Sequence, residues 1–366
     1  MAALTYDLLY KCAVVPLQAV TPAQLAAQVP AITLAEARKL VAQVHRGEQV
    51  TATSAIRRTA AEAVRAIGHV PQLTVLEETA SQLDPFVKYL IGAGDDRIET
   101  VRIPLENAAR FSVCVSSQVG CALACAFCAT GRLGLQRNLA AWEIVEQVRI
   151  VRARLPHGRV HGVVFQGMGE PLANLDNVLG AIAVMTEPSA LGIDARAITV
   201  CTAGLPVGIR RMAKEAPNVR LGLSISSAIP THRKRVMPIA EKHSFDDVIA
   251  AVTEHAIATG HAPMWAVTLL DGINDSDDDA RALAERAHAF AAATGKRPRI
   301  SVLDYNTIGD GDPFARSPRL GAYRDVLSAA GLPSHRRYSG GSDVAAACGQ
   351  LAATSSAADS EQRSRG

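Results

Sequence analysis

The strongest constraint on the fold is a regular alternation of short apolar segments and helical segments that begins at residue 111. Each apolar segment has the length of a buried strand, and each is followed by apolar residues at helical spacing. Six such pairs follow one another, and their strands are 111–116, 160–167, 197–202, 219–226, 264–270 and 299–306. Such a repeat predicts parallel strands with helices outside, and hence an α/β fold in the form of a partial (β/α) barrel.

The segments that flank this alternation predict three smaller units. Residues 1–80 are Ala-rich with helical spacing and predict a small helical N-terminal accessory domain, a candidate RNA-binding unit. Residues 81–110 predict a β connector of two strands around a Gly/Asp turn. The core and its C-terminal segment would span 111–351, and the small polar residues of 352–366 predict a disordered tail.

Composition excludes some classes of protein and leaves others open. The formal net charge of +3 is too small to argue for nucleic-acid binding, so any basic surface must be local. No run approaches the roughly 18 apolar residues of a membrane span, and the N-terminus lacks the features of a secretory signal. The chain is therefore expected in the cytoplasm, without a membrane partner. There, cysteines act as ligands or catalysts more readily than as structural disulfides.

Four of the seven cysteines lie close together, between residues 114 and 128. Cys121, Cys125 and Cys128 form a C-x3-C-x2-C motif in the loop after the first predicted strand. Thiolates are the ligands of iron–sulfur clusters, and three of them leave one iron of a [4Fe–4S] cluster free to bind a substrate or cofactor. Zinc is the main alternative, but a structural zinc site needs a fourth ligand, and no second CxxC or His pair follows.

A second motif, Gly167-Met168-Gly169-Glu170-Pro171, follows the second predicted strand. Glycines at a strand end allow the backbone to approach a ligand closely. A carboxylate there can accept hydrogen bonds from an ammonium group. Alone, the motif is explained equally well by a turn; beside the cysteine motif, it predicts a cofactor surface that includes Gly169 and Glu170.

Together these motifs resemble the radical S-adenosylmethionine (SAM) superfamily, and within it the RlmN/Cfr family of RNA adenine methyltransferases. The narrower resemblance also depends on three further segments, which are 114–121, 137–139 and 346–351. It implies that Cys121, Cys125 and Cys128 bind a [4Fe–4S] cluster whose open iron is chelated by SAM. It also implies that SAM is cleaved to a 5′-deoxyadenosyl radical and that two SAM molecules are used per turnover.

The resemblance also assigns catalytic roles to three residues. Cys348 matches the cysteine that accepts a methyl group from the first SAM, and the second SAM then yields the radical that activates this S-methyl group. Cys114 matches the cysteine that attacks Cys348, so that a transient disulfide forms and the product is released. Glu99 matches a glutamate that acts as proton acceptor, although two extra residues separate it from Cys114.

Further SAM contacts are implied at the ends of later strands, where this chain departs from the family pattern. Cys201 stands where the family usually has serine, and Ser226 stands where it usually has histidine. Asn306 is followed by threonine in place of the usual proline. The other implied contacts are Ser224 and Ile225. These departures predict a retained SAM site with an altered substrate pocket.

Several basic residues near the predicted mouth of the barrel are candidates for contacts with RNA phosphates. The set comprises Arg132, Arg137, Arg233, Lys234, Arg235, Arg336 and Arg337. Scattered surface charge explains them equally well. Lys88 and Tyr89 are further candidates, for a phosphate contact and for stacking on a base.

The sequence therefore predicts an enzyme that methylates an adenine in RNA, at C2 in large-subunit ribosomal RNA and in transfer RNA too. An electron donor of the flavodoxin or ferredoxin type and a monomeric state are expected. Three alternatives stay open: methylation at C8, a radical enzyme that acts on a small molecule or peptide, and a non-catalytic RNA-binding or iron–sulfur sensor protein.

Overall fold

The computed structural model describes residues 14–353, and these begin with a small helical unit. Its elements are the strand β1 (Val15–Pro16), the helices α1 (Pro22–Gln28), α2 (Leu34–His45) and α3 (Arg58–Ile67), and the strand β2 (Gly68–His69), which pairs with β1. Thr21 and Thr33 cap α1 and α2, because the hydroxyl of each accepts a hydrogen bond from the backbone N–H three positions later. The side chain of that later residue accepts a hydrogen bond from the backbone N–H of the threonine in turn. Leucine, isoleucine and valine side chains form a separate core in this unit.

Ten strands form one large sheet. Seven of them are parallel: β6 (Arg110–Val115), β9 (Arg159–Phe165), β10 (Ile198–Thr202), β11 (Arg220–Ser224), β12 (Met264–Leu269), β13 (Arg299–Asp304) and β14 (Ser334–Arg337). Except in β14, whose central residues are exposed, the middle of each of these strands is largely buried, as expected for strands covered by helices on one side and by the barrel interior on the other. The first and last of these strands do not pair with each other, so the sheet stays open and the predicted partial barrel is confirmed.

Helices follow the parallel strands as the alternation predicts. They are α5 (Ala141–Ala153), α6 (Leu175–Thr186), α7 (Pro206–Glu215), α8 (Pro230–Val236), α9 (Phe245–Thr259), α10 (Asp277–Thr294) and α11 (Leu320–Ala329). Local sequence sets where they begin and end. The hydroxyl of Ser244 accepts a hydrogen bond from the first turn of α9, and Gly260 ends that helix with a φ of 73°. None of the helices within residues 14–353 combines the length and apolar character that a bilayer crossing requires.

Three antiparallel strands extend the sheet beyond β6. They are β3 (Thr74–Ala80), β4 (Val87–Ala93) and β5 (Asp96–Pro104). The two strands and the turn of the predicted connector are present, but they continue the barrel sheet. The end of the range predicted to be helical, Thr74–Ala80, is a strand of this same sheet, because its alternating side chains pair with β4. The predicted tail lies almost entirely outside the described residues, from 354 onward.

The helical unit packs on the first helix of the barrel. Arg149 of α5 donates a hydrogen bond from Nη1 to the carbonyl oxygen of Val44, at 2.7 Å. The Arg149 guanidinium also pairs with Glu146 one turn earlier on α5. Because this contact uses the backbone at the end of α2, it fixes the helical unit to the outside of the barrel.

Candidate functional site

The carboxyl ends of the parallel strands surround one large cavity, which we call the main cavity. It contains about 1040 Å³ of empty space, open solvent included. Its walls include the three motif cysteines, Gly169, Glu170, and residues at the ends of β9 to β13. Active sites of (β/α) barrels lie at this end of the sheet, because the loops after the strands converge there.

The motif cysteines lie on a short loop that several backbone contacts hold in place. This loop leaves the strand β7 (Gln118–Gly120), ends at the one-turn helix α4 (Ala129–Arg132), and returns through β8 (Leu135–Asn138), which pairs with β7. The N–H of Cys121 donates to the carbonyl of Gly134 at 2.8 Å, and the N–H of Ala126 donates to Val236 at 2.9 Å. A Cβ at Gly131 would lie 2.8 Å from the carbonyl oxygen of Cys125, so only glycine fits this close contact.

The three motif thiols line one wall of the main cavity, and they fit an iron–sulfur cluster. Burial raises the pKa of Cys121 to about 11 and raises the pKa of Cys125 further, with the neighbouring Cys128 and Cys121 adding to the shift. Thiols in this setting become thiolates when a bound cation displaces their protons. No group of His, Cys, Asp or Glu side chains within residues 14–353 is arranged to hold a single metal ion. A cluster takes each thiolate on a different iron, so its ligands need not converge on one point.

Glu170 lines the same cavity as these thiols and is almost completely buried. Its carboxylate accepts hydrogen bonds from the backbone N–H groups of Leu172 and Ala203, at 3.0 and 2.9 Å. Burial raises its pKa, and these hydrogen bonds together with one from Thr202 act in the opposite direction. Gly169 has a φ of 97°, and a Cβ there would lie 2.6 Å from Gln118. The predicted cofactor surface therefore lines the main cavity and packs against the end of β6 and against β7.

The predicted SAM contacts at later strand ends divide into two groups. Cys201, Ser224 and Ser226 line the main cavity. Ser226 has a φ of 58°, which is uncommon outside glycine, and its carbonyl accepts a hydrogen bond from Asn274. Ile225 and Asn306 do not line the cavity. The Ile225 side chain lies in the hydrophobic core, so any contact with a cofactor would have to come from its backbone.

Cys348 lies between the main cavity and a second one. The second cavity contains about 530 Å³ of empty space and has Cys114, but none of the motif cysteines, in its wall. The backbone N–H of Cys348 donates to the hydroxyl of Ser339 at 2.7 Å, and its carbonyl accepts from Asn306 at 3.2 Å. Asn306 thus holds the Cys348 segment rather than lining the main cavity. The next residue, Gly349, accepts a hydrogen bond from Ala129, so the segment is tied to the cysteine loop.

Glu99 lies in β5 with only 1% of its surface exposed, and it lines neither cavity. Its Oε1 atom is 3.0 Å from the Nζ atom of Lys88. Its Oε2 atom accepts hydrogen bonds from the backbone N–H groups of Ala352 and Ala353, at 2.8 and 3.0 Å. The carboxylate therefore anchors the chain just after the Cys348 segment.

The prediction that Lys88 and Tyr89 contact RNA is wrong for this conformation. Lys88 is 5% exposed and paired with Glu99, and Tyr89 is completely buried. Both lie on β4, which is buried along nearly its whole length. Because β4 lies inside a continuous sheet, neither side chain reaches the surface where a phosphate or a base could bind.

Most of the candidate phosphate-binding arginines are also engaged within the protein. Arg132 pairs with Asp312, Arg336 with Asp304, and Arg137 with Asp96 and Glu143. Arg233 is 1% exposed, and its guanidinium donates to the carbonyls of Ser224, Ile225 and Ala203. Lys234 and Arg235 are exposed and have no ion-pair partner within residues 14–353, so they remain candidates for phosphate contacts.

We expect Arg233→Met to destabilise the protein by about 3 kcal/mol, because three buried carbonyls then lose their charged donor. Burial lowers the pKa of Arg233 to about 10, which leaves it charged at neutral pH. The matched control is Lys234→Met, one residue away and exposed, with an expected change within about 0.5 kcal/mol. Denaturant unfolding of the two variants makes the comparison. Equal unfolding free energies would mean that Arg233 has no structural role.

Sequence reasoning missed several residues of the site. Gln166 lines both cavities, and its amide oxygen lies 3.6 Å from the sulfur of Cys201. Its position at the end of the second strand, directly before Gly167, could have identified it. Ser339 holds the Cys348 backbone, and Thr130 donates from its hydroxyl to the carbonyl of Leu351. No local pattern predicts these two contacts, since their partners are distant in the chain.

A partial barrel with three thiols on the loop after its first strand defines the class of this protein. The sequence profile of the Radical SAM superfamily matches residues 115–287. The chain also matches the crystal structure of a radical SAM methyltransferase from Sphaerobacter thermophilus. The TM-score is 0.82 at 32% identity, over 92% of this chain and 99% of the other. The protein is therefore a radical SAM enzyme.

Relatives narrow the assignment further. A probable RNA methyltransferase from Sorangium cellulosum is 56% identical over 89% of this chain and 90% of its own length. The dual-specificity RNA methyltransferase RlmN of Syntrophobacter fumaroxidans is 40% identical over 77% of this chain and 80% of its own length. The chain belongs to the RlmN/Cfr family of radical SAM RNA methyltransferases, which implies a [4Fe–4S] cluster and SAM.

Proposed function

We propose that this enzyme methylates the C2 carbon of an adenine in large-subunit ribosomal RNA, and in transfer RNA too, through a methyl group carried on Cys348. The observation that carries the proposal is the position of Cys348 between two cavities. It shares one cavity with the motif cysteines and the other with Cys114. A group carried on Cys348 Sγ is thereby within reach of both.

Both cofactors would be held in the main cavity. Cys121, Cys125 and Cys128 would bind the cluster. Gly169, Glu170, Cys201, Ser224, the backbone of Ile225 and Ser226 would bind SAM, and Asn306 would support that site by holding the Cys348 segment. When bound, these groups supply a methyl donor, one electron, and a radical that removes hydrogen from an S-methyl group. The chain's own part is to hold Cys348 beside them through Ser339, Asn306 and Ala129.

Cys114 would release the product from Cys348. Its thiolate gives an electron pair to the Cys348 sulfur, and a sulfur–sulfur bond forms. The bond from that sulfur to the nucleotide's new carbon breaks, and its electron pair stays on the carbon, which takes up a proton. The two sulfurs are oxidised and the carbon is reduced to methyl. The second cavity supports this step because Cys114 and Cys348 share its wall.

Glu99 is proposed as the proton acceptor for the ring proton of the target base. Its Oε2 atom is engaged by the N–H groups of Ala352 and Ala353, directly beyond the Cys348 segment. For Glu99 to accept a proton, these two contacts must open, and Lys88 would then hold the freed carboxylate in place. The C-terminal segment would therefore have to move before the Glu99 carboxylate could accept the proton.

The proposal extends to the partners of the enzyme. A reduced flavodoxin or ferredoxin would supply the electron, two SAM molecules would be used per turnover, and the enzyme would act as a monomer in the cytoplasm. Lys234 and Arg235 are exposed cations after the fourth parallel strand, and the helical unit offers further surface for RNA. Contacts to phosphates from such side chains position RNA without reading its sequence.

The test is an anaerobic reaction of ribosomal RNA with the reconstituted enzyme, reductant and methyl-labelled SAM, followed by digestion to nucleosides. We expect labelled 2-methyladenosine, together with a tryptic peptide in which Cys348 carries an S-methyl group. Labelled 8-methyladenosine would favour the alternative ring position. An active enzyme with an unmodified Cys348 thiol would overturn the mechanism and favour a radical reaction of another type.

A further inference from the structure

Arg337 is the last residue of β14, and its environment differs from that of the arginine beside it. Arg336 pairs with Asp304, at 2.7 Å. Arg337 forms no ion pair with any carboxylate within residues 14–353, and its Nη1 atom is buried without a hydrogen-bond partner. A buried guanidinium nitrogen carries a desolvation cost unless an anion or acceptor lies beside it. Arg337 as a whole is half-buried, and Nη1 is the part of its guanidinium that lacks such a partner in the resting protein.

The second cavity limits what that partner can be. Arg337 lines it together with Cys114 and Cys348, and no aspartate or glutamate takes part in its wall. Apart from Tyr338, the side chains in this wall that can become anionic are therefore the two thiols. Tyr338 in the same wall already donates its hydroxyl hydrogen to Asp84, at 2.6 Å.

We propose that Arg337 is a positioning residue that stabilises the thiolate of Cys114 for its attack on the sulfur of Cys348. This inference rests on the proposed function, which requires that exchange. The anion beside Arg337 would be the Cys114 sulfur, after it has lost its proton and before it attacks Cys348. The cation thus lies ready in the wall before the charge develops, as in other preorganised sites.

The electrostatics of the neighbouring thiols support this role. Burial raises the pKa of Cys114 far above its usual range, Cys348 and Cys201 raise it further, and Arg337 lowers it. The pKa of Cys201 is raised to about 12 by burial, and there too Arg337 lowers it. His335, on the same strand, has its pKa lowered by burial and by nearby arginines including Arg337. Two groups favour the thiolate of Cys114, namely a hydrogen bond from the backbone of Gln166 and, as the smaller effect, the positive charge of Arg337.

The step that Arg337 assists is a displacement at sulfur in which atoms and electrons balance. Cys114 loses its proton to water, and its sulfur donates an electron pair to Cys348 Sγ. The Sγ–carbon bond to the nucleotide adduct breaks, and the carbon keeps that pair and takes up a proton. Attack needs the thiolate, so the fraction of Cys114 that is ionised limits its rate.

The test measures thiol ionisation directly, without RNA. Anaerobic, cluster-loaded enzyme with unmethylated Cys348 is treated with iodoacetamide over a range of pH, and alkylation of Cys114 and Cys348 is quantified by peptide mass spectrometry. We expect Arg337→Gln to move the midpoint of alkylation upward by about one pH unit, which is about tenfold less thiolate at fixed pH. Arg337→Lys should retain most of the wild-type profile. Arg336→Gln, exposed and on the same strand, is the matched control and should change nothing.

Unchanged midpoints in Arg337→Gln would overturn the inference. If that variant loses the cluster, Arg337→Lys and Arg337→Met replace it, since both keep an unbranched stem and differ in charge. Equal midpoints in these two would overturn the inference as well. The result is separable from the proposed function. An enzyme that never methylates Cys348 would refute that function, whereas equal midpoints would refute only the role of Arg337.

Discussion

Replacing Cys348 with alanine is expected to abolish methyl transfer to RNA, by at least about 1000-fold, while cluster binding and SAM cleavage persist. The substitution removes one sulfur atom. The backbone contacts of Cys348 with Ser339, Asn306 and the cysteine loop stay possible, because all of them involve main-chain atoms of the segment. The site would therefore keep its shape and lose only the atom that is proposed to carry the methyl group.

The measurement is transfer of labelled methyl from SAM to RNA, with 5′-deoxyadenosine formation followed in the same reaction. Cys201→Ser is the matched control, because it also replaces a cavity sulfur, and a hydroxyl can still bond Gln166. We expect this control to retain methyl transfer within about tenfold of the wild type. RNA labelled equally by the wild type and by Cys348→Ala would refute the role of Cys348.

Cys125→Ala is expected to have the second large effect, namely loss of the cluster and, with it, of all SAM cleavage. With two thiols left on the loop, the cluster has too few protein ligands to stay bound. The loop itself should survive, because its contacts with Gly134, Val236 and Gly349 are made by the backbones of Cys121, Ala126 and Ala129. The loss would then reflect missing coordination and not a misfolded barrel.

Iron and sulfide content, visible absorption and 5′-deoxyadenosine formation measure this effect. Cys114→Ala is the control, since Cys114 is close in sequence but lies in the wall of the second cavity. It should keep the cluster and cleave SAM, and still fail to release methylated RNA. Wild-type protein that is colourless after anaerobic reconstitution and binds only zinc would contradict the cluster in both experiments.

Periodicity and residue chemistry were sufficient for much of this fold and site. Six strand–helix pairs could be predicted because each strand is a continuous apolar run and each helix has its own periodicity and caps. The motif cysteines were identifiable because their spacing within one loop places three thiols close together whatever the rest of the chain does. The seventh parallel strand, Ser334–Arg337, was not predicted, since its polar residues give no strand signal.

Charged side chains near the site were the least predictable feature. Arg233 and Lys234 are adjacent in the sequence, yet one is buried among carbonyls and the other is exposed. Lys88 belongs to a strand whose composition also suits a surface hairpin, but β4 is covered because the connector joins the barrel sheet. Which cations are free to contact RNA depends on packing between distant segments. A local sequence pattern does not determine that packing.

The cluster ligands, the strand–helix order and the chemical class of this enzyme follow from local spacing, because ligation and periodicity depend on neighbours in the chain. The division of the interior into two cavities, with Cys348 in the wall of both, depends on the tertiary structure. So does the environment of Arg337, which shares the wall of the second cavity with Cys114 although more than 200 residues separate them in the chain. Such contacts arise only when the first and last strands of the open barrel and the C-terminal segment are brought together.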